Sequence, residues 1–124
     1  MAEEVNVSGD EMNSIALEII MQAGDARLCV AEALKAAAEG NYSEINKKLD
    51  EAKKYLAGAH SRQTAIVQSE GEGIKHEHTL LFMHAQDTLM TIYSEMNMAR
   101  QLKAVFERLD SRIAALERKG IVNE

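Results

Sequence analysis

Proline is absent from the 124 residues, tryptophan is absent too, and the aromatics amount to two phenylalanines and three tyrosines. Without proline, no position is barred from a helix interior by a missing N–H. Cysteine occurs once, at Cys29, which excludes an intrachain disulfide. Cys29 precedes Val30 in an apolar helical pattern and reads as a small core residue rather than a nucleophile. No apolar run is long enough to span a bilayer. The opening Met1-Ala2-Glu3-Glu4-Val5 lacks the basic and apolar regions of a signal peptide, so a cytoplasmic protein is expected. Positive charge is also short: the net charge of −6 disfavours a nucleic-acid backbone or an anionic membrane as partner and suits a basic protein.

What is present is helix-forming: Ala, Leu, Glu, Lys, Met and Ile dominate. The length suits one domain, with 1–9 as a flexible N-terminal segment, 10–120 as the helical domain and 121–124 as a tail. In the first helix Met12, Ala16, Ile19, Ala23, Ala26, Val30, Ala33 and Ala37 recur at steps of four and three, a seam of mostly small residues. Ser8 or Asp10 can cap it. Gly24 within it costs about 1 kcal/mol relative to alanine, which a close helix crossing or a functional contact would explain. Gly40 then suits the left-handed position after a helix, and Asn41 with Glu44 reads as an N-cap box.

The second helix carries Ile45, Leu49, Ala52, Leu56, Ala59, Thr64, Ile66 and Val67, with a mixed-charge solvated face from Lys47 to Lys54. Gly71-Glu72-Gly73 breaks it. The spacing predicts a third helix from near Lys75 to Lys119, stopped by Gly120. Its seam is Leu81, Ala85, Thr88, Ile92, Glu95, Ala99, Leu102, Phe106, Leu109, Ile113 and Leu116, interrupted at Thr88 and Glu95. Short connections make neighbours antiparallel. The expected fold is all-α, an antiparallel three-helix bundle. Its third helix outruns the others, so its end should project or pack on another subunit, and the seams argue for self-association.

Chemistry concentrates in His84-Ala85-Gln86-Asp87-Thr88-Leu89-Met90. His84, Asp87 and Thr88 stand at i, i+3 and i+4 and share one helix face. A neutral imidazole nitrogen attacks phosphoryl donors near neutral pH, whereas Asp87 would orient the ring, repel the phosphate or bind a cation. Spacing alone leaves two readings of His84 open, a phosphoryl carrier and a satisfied or interfacial histidine. His60 is a second candidate. His76 and His78 read as exposed polar residues near a helix start. A metal-binding bundle using His76, His78, His84 and Asp87 is disfavoured, because no Glu-x-x-His pair feeds a core.

The segment from His84 to Met90 resembles the active-site signature of the lactose/cellobiose class of enzyme IIA, a component of the bacterial sugar phosphotransferase system. Ile19-Ile20 with Ala23-Gly24-Asp25-Ala26-Arg27 and Glu32-Ala33-Leu34 is similar to its first-helix motif, and Ala59-His60-Ser61-Arg62-Gln63-Thr64 to its second-helix motif. Gly71-Glu72-Gly73 falls where members turn into the third helix. The resemblance covers residues 12–115. It implies a homotrimer with a shared helical core. It also implies that His84 takes phosphate from HPr and passes it to a cysteine of enzyme IIB, serving a β-linked disaccharide such as cellobiose, chitobiose or lactose. It further implies that Asp87 lies near the threefold axis, where three copies share one Mg2+. Thr88 departs from the pattern, since many members carry a second histidine there. The segment from Asp110 to Glu124 is longer than in many members. The alternative reading is a non-catalytic oligomeric coiled-coil adaptor, which explains the seams but gives no reason for the His84–Asp87 pair.

Overall fold

A computed structural model describes residues 8–123, with side chains for 8–120. The expected terminal segments fall mostly outside that range. The described residues form three helices: α1 (Gly9–Ala38), α2 (Tyr42–Gly71) and α3 (Leu80–Asn123). Ser8 caps α1 with a complete reciprocal box. Its hydroxyl accepts from the Glu11 N–H at 3.2 Å, and the Glu11 carboxylate accepts from the Ser8 N–H at 3.2 Å. The α1–α2 turn keeps the expected Gly40 and Asn41 roles but not the full box, since the Asn41 N–H donates to the Ala36 carbonyl at 3.0 Å rather than to Glu44. Gly40 holds φ +74, where a side chain would be strained, and the Asn41 side chain accepts from the Glu44 N–H at 3.2 Å.

The start of α3 differs from the expectation. It begins at Leu80 rather than near Lys75, and it runs through Gly120 to Asn123. Residues 74–79 are instead held by side chains that reach three ways. His76 bonds the Ser69 hydroxyl at 2.6 Å, His78 lies 3.4 Å from Glu70, and Glu77 accepts the Gly9 N–H at 2.6 Å. Thr79 then caps α3 by accepting from the Phe82 N–H at 3.1 Å. His76 and His78 therefore sit on an irregular connector, not on a helix; His78 is exposed and His76 half-buried.

Cross-helix pairs set the directions. Gly9 at the start of α1 meets Glu77 just ahead of α3, and further along Arg27 of α1 meets Glu95 of α3, so α1 and α3 run parallel. Glu18 with Arg62, Cys29 with Glu51 and Glu32 with Lys48 approach one another along the chain, so α1 and α2 are antiparallel. The bundle is up, down, up, as short connections require.

The core takes the α1 seam nearly as read: Met12, Ala16, Ile19, Ala23, Ala26, Val30 and Ala33 are buried, joined by Cys29 and Ala36, while Ala37 is half-buried. From α2 come Ile45, Leu49, Ala52, Leu56, Ala59 and Ile66, whereas Val67 is exposed. On α3 the buried set is Phe82, Ala85, Leu89, Ile92, Met96 and Ala99. This corrects the predicted seam at every second position. Ala85, Ile92 and Ala99 are common to both, but Phe82, Leu89 and Met96 replace Leu81, Thr88 and Glu95. A rotation of a few tens of degrees buries apolar groups and spares the hydroxyl and carboxylate their desolvation cost. No buried side chain of the described residues is polar or charged.

Candidate functional site

His84 and Asp87 stand in the first two turns of α3, and both are exposed. The core residues Phe82, Ala85 and Leu89 fix the helix rotation, and the steps from them turn His84 and Asp87 away from the protomer interior. Among the described residues, neither side chain has a hydrogen-bond or ion-pair partner. His84 is therefore not a core histidine satisfied within its own chain. Thr88, half-buried, follows on the shoulder between this face and the core.

The flanking motif residues build the frame. Gln86 accepts from the Gln63 amide of α2 at 3.0 Å, which ties the His84 turn to the second-helix motif. His60 is not brought into a pair with His84 by any bond. Its ring meets Tyr93 edge-on at 5.7 Å between centroids, and its Nε2 lies 3.2 Å from the Thr64 hydroxyl. Arg27 holds Glu95 through two contacts of 3.2 Å, and Arg62 pairs with Glu18. Glu95, read from sequence as a break in the seam, is thus the α3 anchor of the first-helix motif. Both motif arginines are engaged within the protomer.

The outward face of α3 is apolar around Asp87. Leu80 is 83% exposed, and Met83, Met90 and Met98 are also exposed. A carboxylate standing singly in such a stripe is costly if the stripe is covered, unless a counter-charge meets it there. Among the described residues of one chain, no group of three or more His, Cys, Asp or Glu side chains could hold a metal ion. Asp87 would offer one ligand per chain, which would fit a divalent cation only as part of a set drawn from several copies.

Sequence reasoning did not foresee the close crossing at Gly58. A Cβ there would stand 2.9 Å from the Gln22 amide nitrogen of α1, whereas one on Gly24 would meet nothing within 4 Å. The crossing sought at Gly24 is at Gly58 instead. Gly24 lies on an outward strip of α1 with the exposed Leu17, Met21 and Leu28.

Comparison with known proteins agrees with the motifs. The family model described as "PTS system, Lactose/Cellobiose specific IIA subunit" matches residues 14–107. The lichenan-specific phosphotransferase enzyme IIA component of Bacillus subtilis is 39% identical over 100 residues, covering 81% of this chain and 91% of the relative. The crystal structure of the cellobiose-specific enzyme IIA from Bacillus anthracis superposes with a TM-score of 0.76 at 32% identity, over 83% of this chain and 93% of that one. The IIA(Chitobiose) of Escherichia coli, solved in complex with HPr, gives 0.68 at 28% identity, over 88% and 99%. With the family match spanning most of the chain and an exposed histidine opening the signature on α3, the protein belongs to the lactose/cellobiose-specific IIA subunits of the phosphotransferase system.

Proposed function

We propose that this chain is a cytoplasmic phosphocarrier whose His84 accepts a phosphoryl group from HPr and cedes it to a cysteine of enzyme IIB. The observation that carries the proposal is an exposed, unpaired His84 inside the family signature. A neutral imidazole nitrogen attacks phosphorus, the bond from phosphorus to the donor breaks, and the product is a phosphohistidine. In the second transfer the P–N bond breaks as the IIB thiolate bonds to phosphorus. Exposure serves this chemistry, because two protein partners must reach the same ring in turn. The HPr complex of the Escherichia coli chitobiose relative supports the donor. Among the described residues no helix is long and apolar enough to cross a membrane, which suits a carrier that meets its partners in the cytoplasm.

The functional unit is a homotrimer with the outward face of α3 at its axis. Support comes from the apolar stripe of Leu80, Met83, Met90 and Met98, which one protomer leaves uncovered. Asp87 from each copy would meet there, and Mg2+ would offset the repulsion of three carboxylates. The sugar is a β-linked disaccharide of the cellobiose, chitobiose or lactose type, the classes for which relatives are named.

The test is phosphorylation by enzyme I, HPr and labelled phosphoenolpyruvate, comparing wild type with His84→Ala. Acid-labile, alkali-stable label is expected on wild type alone. Undiminished label on the variant overturns the assignment of His84. No label on wild type, beside a labelled known enzyme IIA, favours the adaptor reading.

A further inference from the structure

A helix leaves its first N–H groups without partners of its own. At the start of α1 the reciprocal box takes up the Ser8 and Glu11 N–H groups, and the Met12 N–H opens the helical ladder on the Ser8 carbonyl. The Gly9 N–H is left over. It donates to the Glu77 carboxylate at 2.6 Å, across from the far end of the sequence's second turn region. Gly9 permits the approach, because a Cβ on it would stand 3.3 Å from the same carboxylate oxygen. Asp10 and Glu11 crowd this turn with like charge. The N–H bond and the positive end of the helix offset that repulsion.

Glu77 belongs to the connector that leads into α3. None of the residues from Lys75 to Thr79 is a glycine or proline that would bar a helix there. Side-chain bonds hold the connector in its irregular path instead. His76 and His78 tie it back to Ser69 and Glu70 of α2, Glu77 ties it to α1, and Thr79 caps α3 on the Phe82 N–H. His84 follows in the second turn of α3. Within one protomer, that part of the helix has a single fully buried anchor, Phe82. Leu80, Met83 and His84 are exposed, and Leu81 is half-buried. A helix end with one apolar anchor can rock about it. The Glu77 bond is a second tie, off the helix and onto a different neighbour, and it opposes that motion.

Transfer between proteins asks much of this geometry. The imidazole nitrogen must meet the phosphorus of a docked donor in line, and small misplacements are costly in rate.

We propose that Glu77 is a positioning residue for phosphoryl transfer at His84: by accepting the first N–H of α1 it fixes the opening turns of α3, and with them the direction in which the imidazole meets a protein partner. The inference deepens the phosphocarrier reading and rests on it. Glu77 touches no reacting atom and acts through the placement of His84.

The full chain tests it as wild type, Glu77→Ala, Glu77→Gln and Glu11→Ala, with phospho-HPr as donor and, separately, with phosphoramidate. Phosphoramidate is small and needs no docked orientation. Glu77→Ala is expected to slow transfer from phospho-HPr about tenfold, in kcat rather than KM, and to leave the phosphoramidate rate within about twofold of wild type. Glu77→Gln should recover most of the loss, because its side-chain carbonyl accepts the same N–H. Glu11→Ala breaks the α1 box but spares the connector bond, so it should unfold at lower temperature yet transfer at the wild-type rate. Wild-type transfer from both donors in Glu77→Ala overturns the role. Equal slowing with both donors also overturns it, since the defect would then lie in the ring's own surroundings rather than in its presentation. No label on wild type from either donor overturns the carrier reading itself and the role of Glu77 with it, a pattern that no Glu77 variant alone can produce.

Discussion

Tyr42 and Cys29 show how single residues of this bundle respond to pH. The Tyr42 hydroxyl donates to Asp110, and that bond, ahead of burial and the Asp110 charge, pushes its pKa from 10 to about 12. A raised pKa means that the folded state favours the protonated phenol. The associated stability is fully present below pH 10 and is lost as pH rises through about 12. A spectrophotometric titration should therefore contain one late-ionising phenol, which Tyr42→Phe removes. An unchanged titration in the variant would show that Asp110 does not hold the hydroxyl. Cys29 is pushed upward too, first by burial and then by the Glu51 and Glu32 carboxylates. Its thiol should react with a disulfide reagent at neutral pH slowly in the folded protein and rapidly in urea, because the thiolate is the reactive form. Equal rates would place Cys29 outside the core.

At the scale of helices, the α1 seam was legible almost residue by residue, because small residues at steps of four and three admit one buried face. The α3 seam was half legible. Ala85, Ile92 and Ala99 satisfy two registers, and apolar periodicity cannot choose between them. The choice follows from the cost of burying Thr88 and Glu95, and from Arg27, which needs Glu95 at the α1 boundary. Leu89→Ala should accordingly cost about 2–5 kcal/mol in urea unfolding, whereas Thr88→Ala should cost under about 1 kcal/mol. The reverse order would restore the predicted seam. The stretch 75–79 reads as helix in sequence, but its side chains fix it otherwise: His76 and His78 reach back to Ser69 and Glu70, and Glu77 reaches Gly9. Nothing local ties Glu77 to Gly9, although Thr79 ahead of Leu80-Leu81-Phe82-Met83 is a readable cap. Gly58 was invisible for the same reason, since its neighbour Gln22 lies on another helix. Gly58→Ala should be nearly neutral, as the flexible Gln22 amide can yield and the helix gains propensity. Gly58→Leu should cost about 1–3 kcal/mol by forcing α1 from α2. Equal stability of the two variants in urea would mean that the crossing is loose.

For the whole molecule, the candidate site was legible as residues but not as a place. The signature names His84 and Asp87, but only the core rotation of α3 reveals that both leave the protomer interior, with Asp87 amid Leu80, Met83 and Met90. An apolar stripe on the outside of a chain with net charge −6 is what the proposed self-association would cover, and one acid within it is the exception to be explained. If three copies meet there, each Asp87 faces two like charges, and its removal should strengthen assembly rather than weaken it. Asp87→Leu is therefore expected to remain trimeric at lower protein concentration than wild type. Its sedimentation should also be indifferent to chelator, whereas the wild-type trimer should loosen when divalent cations are stripped. Dissociation of Asp87→Leu to monomers at micromolar concentration would instead show that the carboxylate makes a favourable contact, and would remove it from the axis. Chelator sensitivity that persists in the variant would assign the cation to other ligands. Because His84 shares this face of α3, the same variant should still accept phosphate, separating the carboxylate's part in assembly from the histidine's part in transfer.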